Sequence, residues 1–439
     1  MASVAASGDH RRVKSAAFLF ACGCAGAAPH WLDPARSLWP AISLALVLGG
    51  YGLRSVMRAS FLKTEPESQK LVAERLPTLD VVVAARDEES VVTRLVERLS
   101  ALRYSAGRLS TWVIDDGSED RTPQLLDALA QKHPQLQVIH RQRDAGGGKS
   151  GALNAALTQL KGEWLLVLDA DAQLQEDLLE RLMPYALDGG WSAVQLRKAV
   201  IDADRNWLTR AQAMEMALDA VLQKGRLESG GVAELRGNGQ LIRRAVLQAS
   251  GGFNEDTVTD DLDLSFRLLT HGALIGILWD PPVQEEAVPT LSALWKQRQR
   301  WAEGGLQRFF DYWPTLTSSQ LTICQRWDLA CFFLLQYGLP VVSFADLSAS
   351  LVSRTIPTFW PLSVVAFSVS GMAYWRGCRG RQEGPAIPSP GLLNLLVAIA
   401  YLGHWFVVIP WVTLKMAVLP KRLVWAKTSH AGEQLPVQA

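Results

Sequence analysis

Hydrophobic positions divide the chain into three parts. Long apolar runs occupy both ends, whereas the middle alternates short apolar runs with amphipathic stretches. A bilayer span needs about 20 apolar residues, so we expect a membrane anchor of one or two helices over 1–60 and further membrane helices over 316–416. An α/β domain over 75–315 and a polar tail over 417–439 complete the predicted organisation. The apolar runs cover residues 16–29, 38–53, 328–352, 356–375 and 391–414.

Basic residues predict an orientation for these ends. The loop RGCRGRQEGPAIPSP (376–390) joins the last two apolar runs, and the positive-inside rule places it in the cytoplasm. An N-terminal hairpin would put HRRVK and Arg54 on the same side. The run 16–29 also resembles a signal peptide, but we interpret it as an uncleaved anchor because the middle domain is typical of one that uses intracellular substrates. Three C-terminal spans would place Lys421 outside, so the number of spans stays open.

The middle of the chain predicts a doubly wound, mostly parallel sheet. Amphipathic stretches such as 90–102 and 122–132 separate several of its β-type runs. In such sheets, ligands bind beyond the carboxyl ends of the strands. The β-type runs are LDVVVAA (79–85), TWVI (111–114), LQVI (136–139), WLLVL (164–168) and SAVQL (192–196).

Composition excludes some classes of protein. The chain has 439 residues, with 44 Lys plus Arg against 43 Asp plus Glu, so it lacks the basic excess of a nucleic-acid binder. Hydrophobic residues make up 49% of the chain, which agrees with the membrane segments. The five cysteines do not have the spacing of a zinc site, and Cys22 and Cys24 are interpreted as small residues of a membrane segment.

Acidic side chains follow three of the predicted strands, and Lys149 lies in a loop between two of these acidic groups. Mg²⁺ in proteins is often bound by one or two carboxylates together with phosphate oxygens, and a lysine adds a point charge to the phosphates. The pattern therefore predicts a site for a magnesium-bound diphosphate. The acidic groups are Asp115 and Asp116 after 111–114, Asp169 and Asp171 after 164–168, and RDEE (86–89) after 79–85.

The loop DAGGGKSGALN (144–154) is similar to a P-loop but does not match the pattern. A P-loop has a glycine five residues before the Gly of its Gly-Lys-Ser/Thr, and that position holds Arg143. The favoured interpretation is a Gly-rich turn that opens the helix KSGALNAAL. Such a turn is compatible with phosphate binding, because helix N-termini attract anions.

Two further motifs each have an ordinary structural explanation. Asp260 and Asp261 in VTDDLDLSFRL (258–268) would begin a helix, where carboxylates favour the dipole. Gln297, Arg300 and Trp301 in QRQRW would share one helix face, which is also typical of an interfacial helix. The order of all these motifs along the chain is more specific than any one of them.

In this order the motifs resemble the membrane-bound family 2 glycosyltransferases, whose nucleotide-sugar domain has the GT-A fold. The resemblance covers most of residues 79–315. It rests on Asp115-Asp116-Gly117-Ser118, Lys149-x-x-Ala152-Leu153-Asn154, Asp169-x-Asp171, Thr259-Asp260-Asp261 and Gln297-x-x-Arg300-Trp301.

The resemblance implies a role for each matching position. Asp116 would contact the uracil of a UDP-sugar, and Lys149 and Asp169 would lie at the nucleotide sugar. Asp171 would hold Mg²⁺ or Mn²⁺, and Asp261 would be the general base for the acceptor hydroxyl. The donor and acceptor site would also contain Asp260, Gln297, Arg300 and Trp301.

Two positions depart from the family pattern, and the chemistry predicts an inverting enzyme. The first strand ends in Ala84-Ala85-Arg86-Asp87 without the usual proline, and Asp260 stands where Glu is common.

One carboxylate base and no covalent nucleophile imply a single displacement. An α-linked donor would then give a β-glycoside.

Several stretches resemble more specifically the cyanobacterial monoglucosyldiacylglycerol synthases. This implies glucosyl transfer from UDP-glucose to diacylglycerol by an integral protein of the plasma or thylakoid membrane, with a cytoplasmic catalytic domain. Gly239 and Gln240 would approach the sugar or glycerol head, and a tight turn before a helix at 241–249 is an equal alternative. The stretches are DAGGGKSGALN, ELRGNGQLIRR (234–244), VTDDLDLSFRL and QRQRWAEGGLQRFFDYW (297–313).

Two other functions remain open from the sequence. A processive polysaccharide synthase of the cellulose, hyaluronan or poly-N-acetylglucosamine type would carry the same motifs, together with a channel built from several spans. A membrane-anchored binding protein with a degenerate nucleotide-sugar domain would need vestigial carboxylates, yet Asp171, Asp261 and Arg300 are all in place. The motifs do not select the donor sugar, because glucose, galactose and N-acetylglucosamine differ at one group.

Overall fold

The computed structural model describes residues 10–32, 34–60, 76–316, 319–380 and 383–420. Lys421 and most of the predicted polar tail over 417–439 lie outside the described residues.

The middle of the chain contains seven strands: β1 (Leu79–Ala85), β2 (Leu109–Asp116), β3 (Leu136–Arg141), β4 (Trp164–Leu168), β5 (Ala193–Val200), β6 (Gln240–Arg243) and β7 (Ile275–Glu285). They form one sheet in the order β3-β2-β1-β4-β6-β5-β7. β6 runs antiparallel to β4 and β5, and every other strand pair is parallel. The predicted α/β class with a mostly parallel sheet is confirmed.

Helices surround the sheet and fill both ends of the chain. The helices of the middle region are α3 (Val92–Ser100), α4 (Thr122–Lys132), α5 (Gly148–Leu157), α6 (Leu178–Asp188), α7 (Trp207–Glu228), α8 (Arg244–Ala249), α9 (Asp260–Thr270) and α10 (Leu291–Asp311). Those of the ends are α1 (Arg11–Ala27), α2 (Pro34–Arg58), α11 (Trp313–Leu316), α12 (Ile323–Phe333), α13 (Leu339–Ser353), α14 (Trp360–Arg379), α15 (Leu392–Leu402) and α16 (Trp405–Val418).

The five strands predicted from the sequence are present, and two others were missed. The helix predicted at 241–249 is wrong in its first part, because the chain pairs as β6 with β4 and β5 before α8 begins at Arg244. Four residues are too short a run for a period of two to be recognised. β7 carries Pro281 and Pro282, and prolines remove ladder donors and weaken a strand pattern. Its position at the edge of the sheet accommodates them.

Helices cover both faces of the sheet, and the side chains of β1 point alternately to the two faces. Val81 and Val83 point to one face, where they pack with the buried sides of α3, α4 and α6. Val82 and Ala84 point to the other face, where α5, α8 and α9 pack. Because both faces are covered, every position of β1 is buried and all but one are apolar. The exception, Asp80, accepts hydrogen bonds from the Gly162 N–H at 2.6 Å and from Trp112 Nε1–H at 3.1 Å. The carboxyl ends of β1, β2 and β4 are left at one edge, where the acidic motifs lie.

The helices at the two ends pack directly on the α/β domain. α7 contacts β5 on one side and α2 and α14 on the other, and α10 contacts α9 and α16. Within the described ranges, three helical segments are long and apolar enough to cross a membrane: Leu38–Arg58, Ile323–Ser353 and Leu392–Val418. The apolar run at 16–29 forms α1, of 17 residues, and the run at 356–375 forms α14.

A glycine allows the close approach of α7 to α2, and its replacement is expected to weaken that contact. A Cβ added at Gly225 would lie 1.7 Å from the backbone oxygen of Ser55. Overpacking of this kind costs about 1–3 kcal/mol, so Gly225→Ala is expected to lower the melting temperature of the detergent-solubilised protein by several degrees.

Gly50→Ala is the matched control. Gly50 lies on α2, and a Cβ there would meet nothing within 4 Å. An alanine at such a helical position contributes up to about 1 kcal/mol of stability. Equal melting temperatures for the two variants would contradict the contact between α2 and α7.

Candidate functional site

A cavity of about 740 Å³ lies at the carboxyl edge of the sheet. It brings together most of the residues predicted from the sequence, and Asp171 and Asp261 share it. Its lining includes Lys149, Asp169, Asp171, Asp260, Asp261, Gln297, Arg300 and Trp301.

The end of β4 positions two carboxylates in this cavity. Asp169 follows the last residue of the strand, and its backbone N–H donates to Asn238 Oδ1 at 3.1 Å. Asp171 is only 6% exposed, and its Oδ2 accepts the backbone N–H of Glu286 at 3.3 Å. These contacts tie the carboxylates to the turn before β6 and to the end of β7.

Lys149 provides a cation beside these carboxylates. Its Nζ lies 2.6 Å from Asp169 Oδ1. Burial alone would lower the pKa of Lys149, but the carboxylates of Asp169 and Asp260 outweigh it and hold the pKa above its ordinary value. Lys149 is therefore charged at neutral pH.

The glycines before Lys149 form the turn that opens α5. Gly146, Gly147 and Gly148 all have positive φ, between 54° and 74°, a region that side chains with a Cβ rarely adopt. A Cβ at Gly147 would also lie 2.3 Å from Glu255 Oε2. The favoured interpretation of this loop, a helix-opening turn, is confirmed.

Asp261 lies in the first turn of α9, as predicted. Thr259 has the extended backbone of an N-cap residue, and the helix begins at Asp260. Burial and the carboxylate of Asp260 raise the pKa of Asp261 to about 6, although Lys149 and Arg236 act to lower it. A carboxylate with this pKa is a stronger base than an ordinary aspartate and is still ionised at pH 7.

Helix α10 presents Gln297, Arg300 and Trp301 to the cavity on one face. The Trp301 ring lies 4.0 Å from the guanidinium carbon of the fully buried Arg298. Arg298 in turn is ion-paired with Glu215 of α7 and donates to the Tyr401 hydroxyl at 2.9 Å. The orientation of Trp301 is therefore set partly by α15.

A glycine pair in α10 brings three elements together. A Cβ at Gly304 would lie 2.0 Å from Thr259 Oγ1, and a Cβ at Gly305 would lie 1.9 Å from the Tyr337 hydroxyl. Tyr337 belongs to the π-helical turn Leu334–Gly338 between α12 and α13. Larger residues would separate α10 from the start of α9 and from the apolar helices. Sequence reasoning missed this pair.

Three predicted residues do not line the cavity. Asp116 is buried at the end of β2, where it is ion-paired with Arg141 and lies 3.5 Å from Arg86 Nη1. Gly239 has a φ of +78° and directly precedes β6, which begins at Gln240. The alternative of a tight turn before a helix fits only in part, because Gly237 and Gly239 have positive φ but Gln240 begins a strand. Gly237 lines the cavity in place of Gly239 and Gln240.

Sequence reasoning also missed several charged residues that line the cavity. Lys198 Nζ lies 2.9 Å from Glu285 Oε2, and Arg236 and Asp219 lie nearby in an ion pair of 3.4 Å. The available signal was a lysine within the otherwise strand-like AVQLRKAV, since a charge in a buried strand needs a partner or a ligand.

The far wall of the cavity is apolar. It is formed by the helices of the two ends, with Leu48 from α2, Leu335 from the π-helical turn, Val365 from α14 and Phe406 from α16. The cavity thus extends from a cluster of carboxylates to the segments that are apolar enough to cross a membrane.

The donor set fits a divalent metal that binds together with a diphosphate. Asp169 and Asp171 offer hard oxygen donors, as Mg²⁺ and Mn²⁺ prefer. Over the described part of the chain, no group of three or more His, Cys, Asp or Glu could hold a metal by itself. Two carboxylates completed by phosphate oxygens and water are an ordinary magnesium site.

Residues 77–304 match the sequence profile described as "Glycosyltransferase like family 2". The chain is a family 2 glycosyltransferase. The matched region covers more than half of the chain and includes each of the motifs that line the cavity.

Curated relatives of this glycosyltransferase cover most of its length. It is 46% identical over 361 residues to the β-monoglucosyldiacylglycerol synthase of Synechocystis sp., covering 81% of this chain and 75% of the relative. A second protein of that name, from Nostoc sp., is 42% identical, with 83% and 79% covered. The poly-β-1,6-N-acetyl-D-glucosamine synthase of Staphylococcus epidermidis is 24% identical, with 72% and 77% covered.

A solved structure supports the fold of this glycosyltransferase. The mannosyltransferase of Pyrobaculum calidifontis, determined in complex with GDP-Man and Mn²⁺, superposes with a TM-score of 0.59 at 21% identity. The match covers 86% of this chain and 98% of the mannosyltransferase. The GT-A-like fold predicted from the motifs is confirmed.

Proposed function

We propose that this family 2 enzyme transfers glucose from UDP-glucose to 1,2-diacylglycerol, with inversion, to form β-monoglucosyldiacylglycerol. The observation that carries the proposal is the single cavity that joins Asp171 and Asp261 to an apolar wall of helices. A water-soluble nucleotide sugar fits the first end and an acyl chain fits the second. The names and the coverage of the Synechocystis and Nostoc relatives support the same reaction.

The donor diphosphate is assigned to Lys149 and to a metal ion that the carboxylates at the end of β4 would hold. Asp171, with Asp169 in support, would hold Mg²⁺ or Mn²⁺, and the ion when bound would neutralise charge on the diphosphate. Lys149 stabilises the negative charge that develops on the β-phosphate as UDP leaves. Its preorganised contact with Asp169 at 2.6 Å supports this role, since little reorganisation is needed.

The uracil is assigned to the carboxyl end of β2. Asp116 lies there, and its partner Arg141 also donates to the carbonyl of Gly146 at 2.9 Å. Arg141 thus connects the residue proposed to contact the base with the turn proposed to contact the phosphates. Gly239 and Gln240, at the start of β6, are assigned a supporting role behind the residues that line the cavity.

The general base is assigned to Asp261. It removes the proton of the acceptor hydroxyl while the oxygen attacks the anomeric carbon and the bond to UDP breaks. Attack opposite the leaving group inverts the configuration, so an α-linked donor gives a β-glycoside. Asp260, Gln297, Arg300 and Trp301 line the same space and are assigned to the donor and the acceptor.

The acceptor is proposed to reach the site from the membrane. The hydroxyl of diacylglycerol lies at the level of the lipid headgroups, and its acyl chains would follow the apolar wall of the cavity. We propose an integral protein of the plasma or thylakoid membrane, with a cytoplasmic catalytic domain over 75–315 between membrane segments at 1–60 and 316–416. The three long apolar helical segments support this placement.

The direct test incubates the purified protein with radiolabelled UDP-glucose and diacylglycerol. We expect a chloroform-soluble monoglucosyl lipid on thin-layer chromatography, with a β anomeric linkage by NMR. Label that stays at the origin would support a polysaccharide synthase in its place. An α product would contradict the assignment of Asp261 as the base of a single displacement.

Replacement of Asp261 and replacement of Asp171 are expected to impair the enzyme in different ways. Asp261→Asn removes a general base, which is worth about 10²–10⁴-fold in rate, but should leave metal-dependent UDP binding intact. Asp171→Asn should weaken that binding itself. Isothermal titration with UDP and Mn²⁺ separates the two, and loss of binding in Asp261→Asn alone would contradict the assignment.

The acid limb of the pH profile is expected to report Asp261. Only the ionised form of Asp261 can accept a proton from the acceptor. Below the pKa of this residue, which lies at about 6, kcat/KM should therefore fall about tenfold per pH unit. Asp260→Asn removes a negative neighbour that raises this pKa, so the limb should move to lower pH.

The exposed Asp188 of α6 supplies the control for the pH profile. Asp188→Asn should leave the limb in place. If the limb stayed in place in Asp260→Asn, or moved to higher pH, a group other than Asp261 would control it.

A further inference from the structure

A lysine and a glutamate face the cavity beside the motif residues. Lys198 Nζ lies 2.9 Å from Glu285 Oε2, with 14% and 15% of the two side chains exposed. The same nitrogen lies 5.8 Å from the centroid of the Trp301 ring. Both residues line the cavity, and neither belongs to the motifs that carry the family resemblance.

An irregularity of the sheet lies beside Lys198. The register between β5 and β7 shifts between Leu196 and Lys198. Arg197, between them, instead donates to the carbonyl of Trp279 and is ion-paired with Asp280 at 2.7 Å. The extra residues of this irregularity, 279–282, lie in β7 opposite Arg197. The two neighbouring charges are thus separated, with Arg197 held by β7 and Lys198 at the cavity.

The position of Lys198 relative to the carboxylates indicates which part of the substrate it meets. Its ammonium donates to the carbonyl of Arg236 at 3.4 Å, and the next two residues of that loop lie beside the proposed base and the diphosphate carboxylate. A Cβ at Gly237 would lie 3.5 Å from Asp261 Oδ2, and Asn238 Oδ1 accepts the Asp169 N–H at 3.1 Å. In a single displacement, the transferred hexose lies between the leaving diphosphate and the attacking oxygen. A side chain that is close to both groups is therefore close to the hexose.

We propose that Lys198, Glu285 and Trp301 form the subsite that selects the hexose of the donor. Lys198 and Glu285 hydrogen-bond its hydroxyls, and the Trp301 ring stacks on the apolar face of the sugar. The inference rests on the proposed function and adds to it the residues that determine the choice of sugar.

The chemistry of the pair suits hydroxyl recognition. An ammonium only donates and a carboxylate only accepts, whereas a hydroxyl does both. One hydroxyl can therefore bridge the pair, or two neighbouring hydroxyls can each take one partner. A donor that lacks the contacted hydroxyl leaves a buried charged group with a lost partner, which is how binding sites reject such analogues strongly. Arg298 behind Trp301 fixes the ring for stacking.

The test compares several donors with one and the same preparation of each protein variant. UDP release is measured with UDP-glucose, UDP-galactose and each monodeoxy analogue of UDP-glucose, with diacylglycerol and Mn²⁺ present, for the wild type, Lys198→Met and Glu285→Gln. Each variant contributes a ratio of kcat/KM values, and a misfolded fraction cancels from that ratio. Lys161→Met, at an exposed lysine before β4, is the matched control.

The expected result is a selective loss of discrimination. The wild type should prefer UDP-glucose over the analogue that lacks the contacted hydroxyl by about 100-fold or more. In Lys198→Met and Glu285→Gln that preference should fall by about tenfold or more, mainly through slower reaction of UDP-glucose. Lys161→Met should keep the wild-type preference.

Two results would contradict a proposal made for this cavity, and each contradicts a different one. A fall by the same factor for every donor in both variants would overturn the subsite while leaving the proposed function in place. Absence of UDP release from every donor with the wild-type protein would instead contradict the proposed function.

Discussion

Carboxylates crowded into a partly buried cavity stay ionised only if cations lie beside them, and this charge balance governs the site. Lys149 contacts Asp169 at 2.6 Å, and with Arg236 it lowers the pKa of Asp261 against burial and Asp260. The result is a base with a pKa of about 6, beside carboxylates suited to a metal. The Gly-rich turn, the start of α9 and the turn before β6 all serve to hold these charges at the edge of one sheet.

The helices at the two ends of the chain complete this site as well as anchoring it. Glu215 of α7 accepts hydrogen bonds from Tyr401 at 3.0 Å and from Trp405 at 2.9 Å, and its partner Arg298 supports Trp301. Gly304 and Gly305 let α10 approach both Thr259 and Tyr337. The side chains proposed to receive the substrates are therefore positioned jointly by the α/β domain and by apolar helices. This arrangement suits an acceptor that arrives from the bilayer.

The sequence predicted the parts of the site that depend on local order along the chain. WLLVL followed by Asp169 and Asp171 is a strand with carboxylates at its end, and a short apolar run between amphipathic stretches is enough to predict it. The residues that were missed depend on long-range pairing. Lys198 is paired in the cavity with Glu285 of β7, a strand whose two prolines concealed it. Gly304 and Gly305 matter only because Thr259 and Tyr337 lie against them, and no local pattern predicts such neighbours. Gly239 and Gln240 do not line the cavity, because the chain there enters β6, whose four residues pair between β4 and β5.

The central claim is that Asp261 deprotonates a lipid alcohol inside the cavity that also holds the metal carboxylate Asp171. The most direct measurement is an experimental structure of the protein in a lipid nanodisc with UDP, Mn²⁺ and diacylglycerol. The account predicts the free glycerol hydroxyl within hydrogen-bond distance of the Asp261 carboxylate, the acyl chains along α2 and α14, and the ion on Asp171. A lipid headgroup bound outside this cavity, with Asp261 turned away from it, would contradict the account.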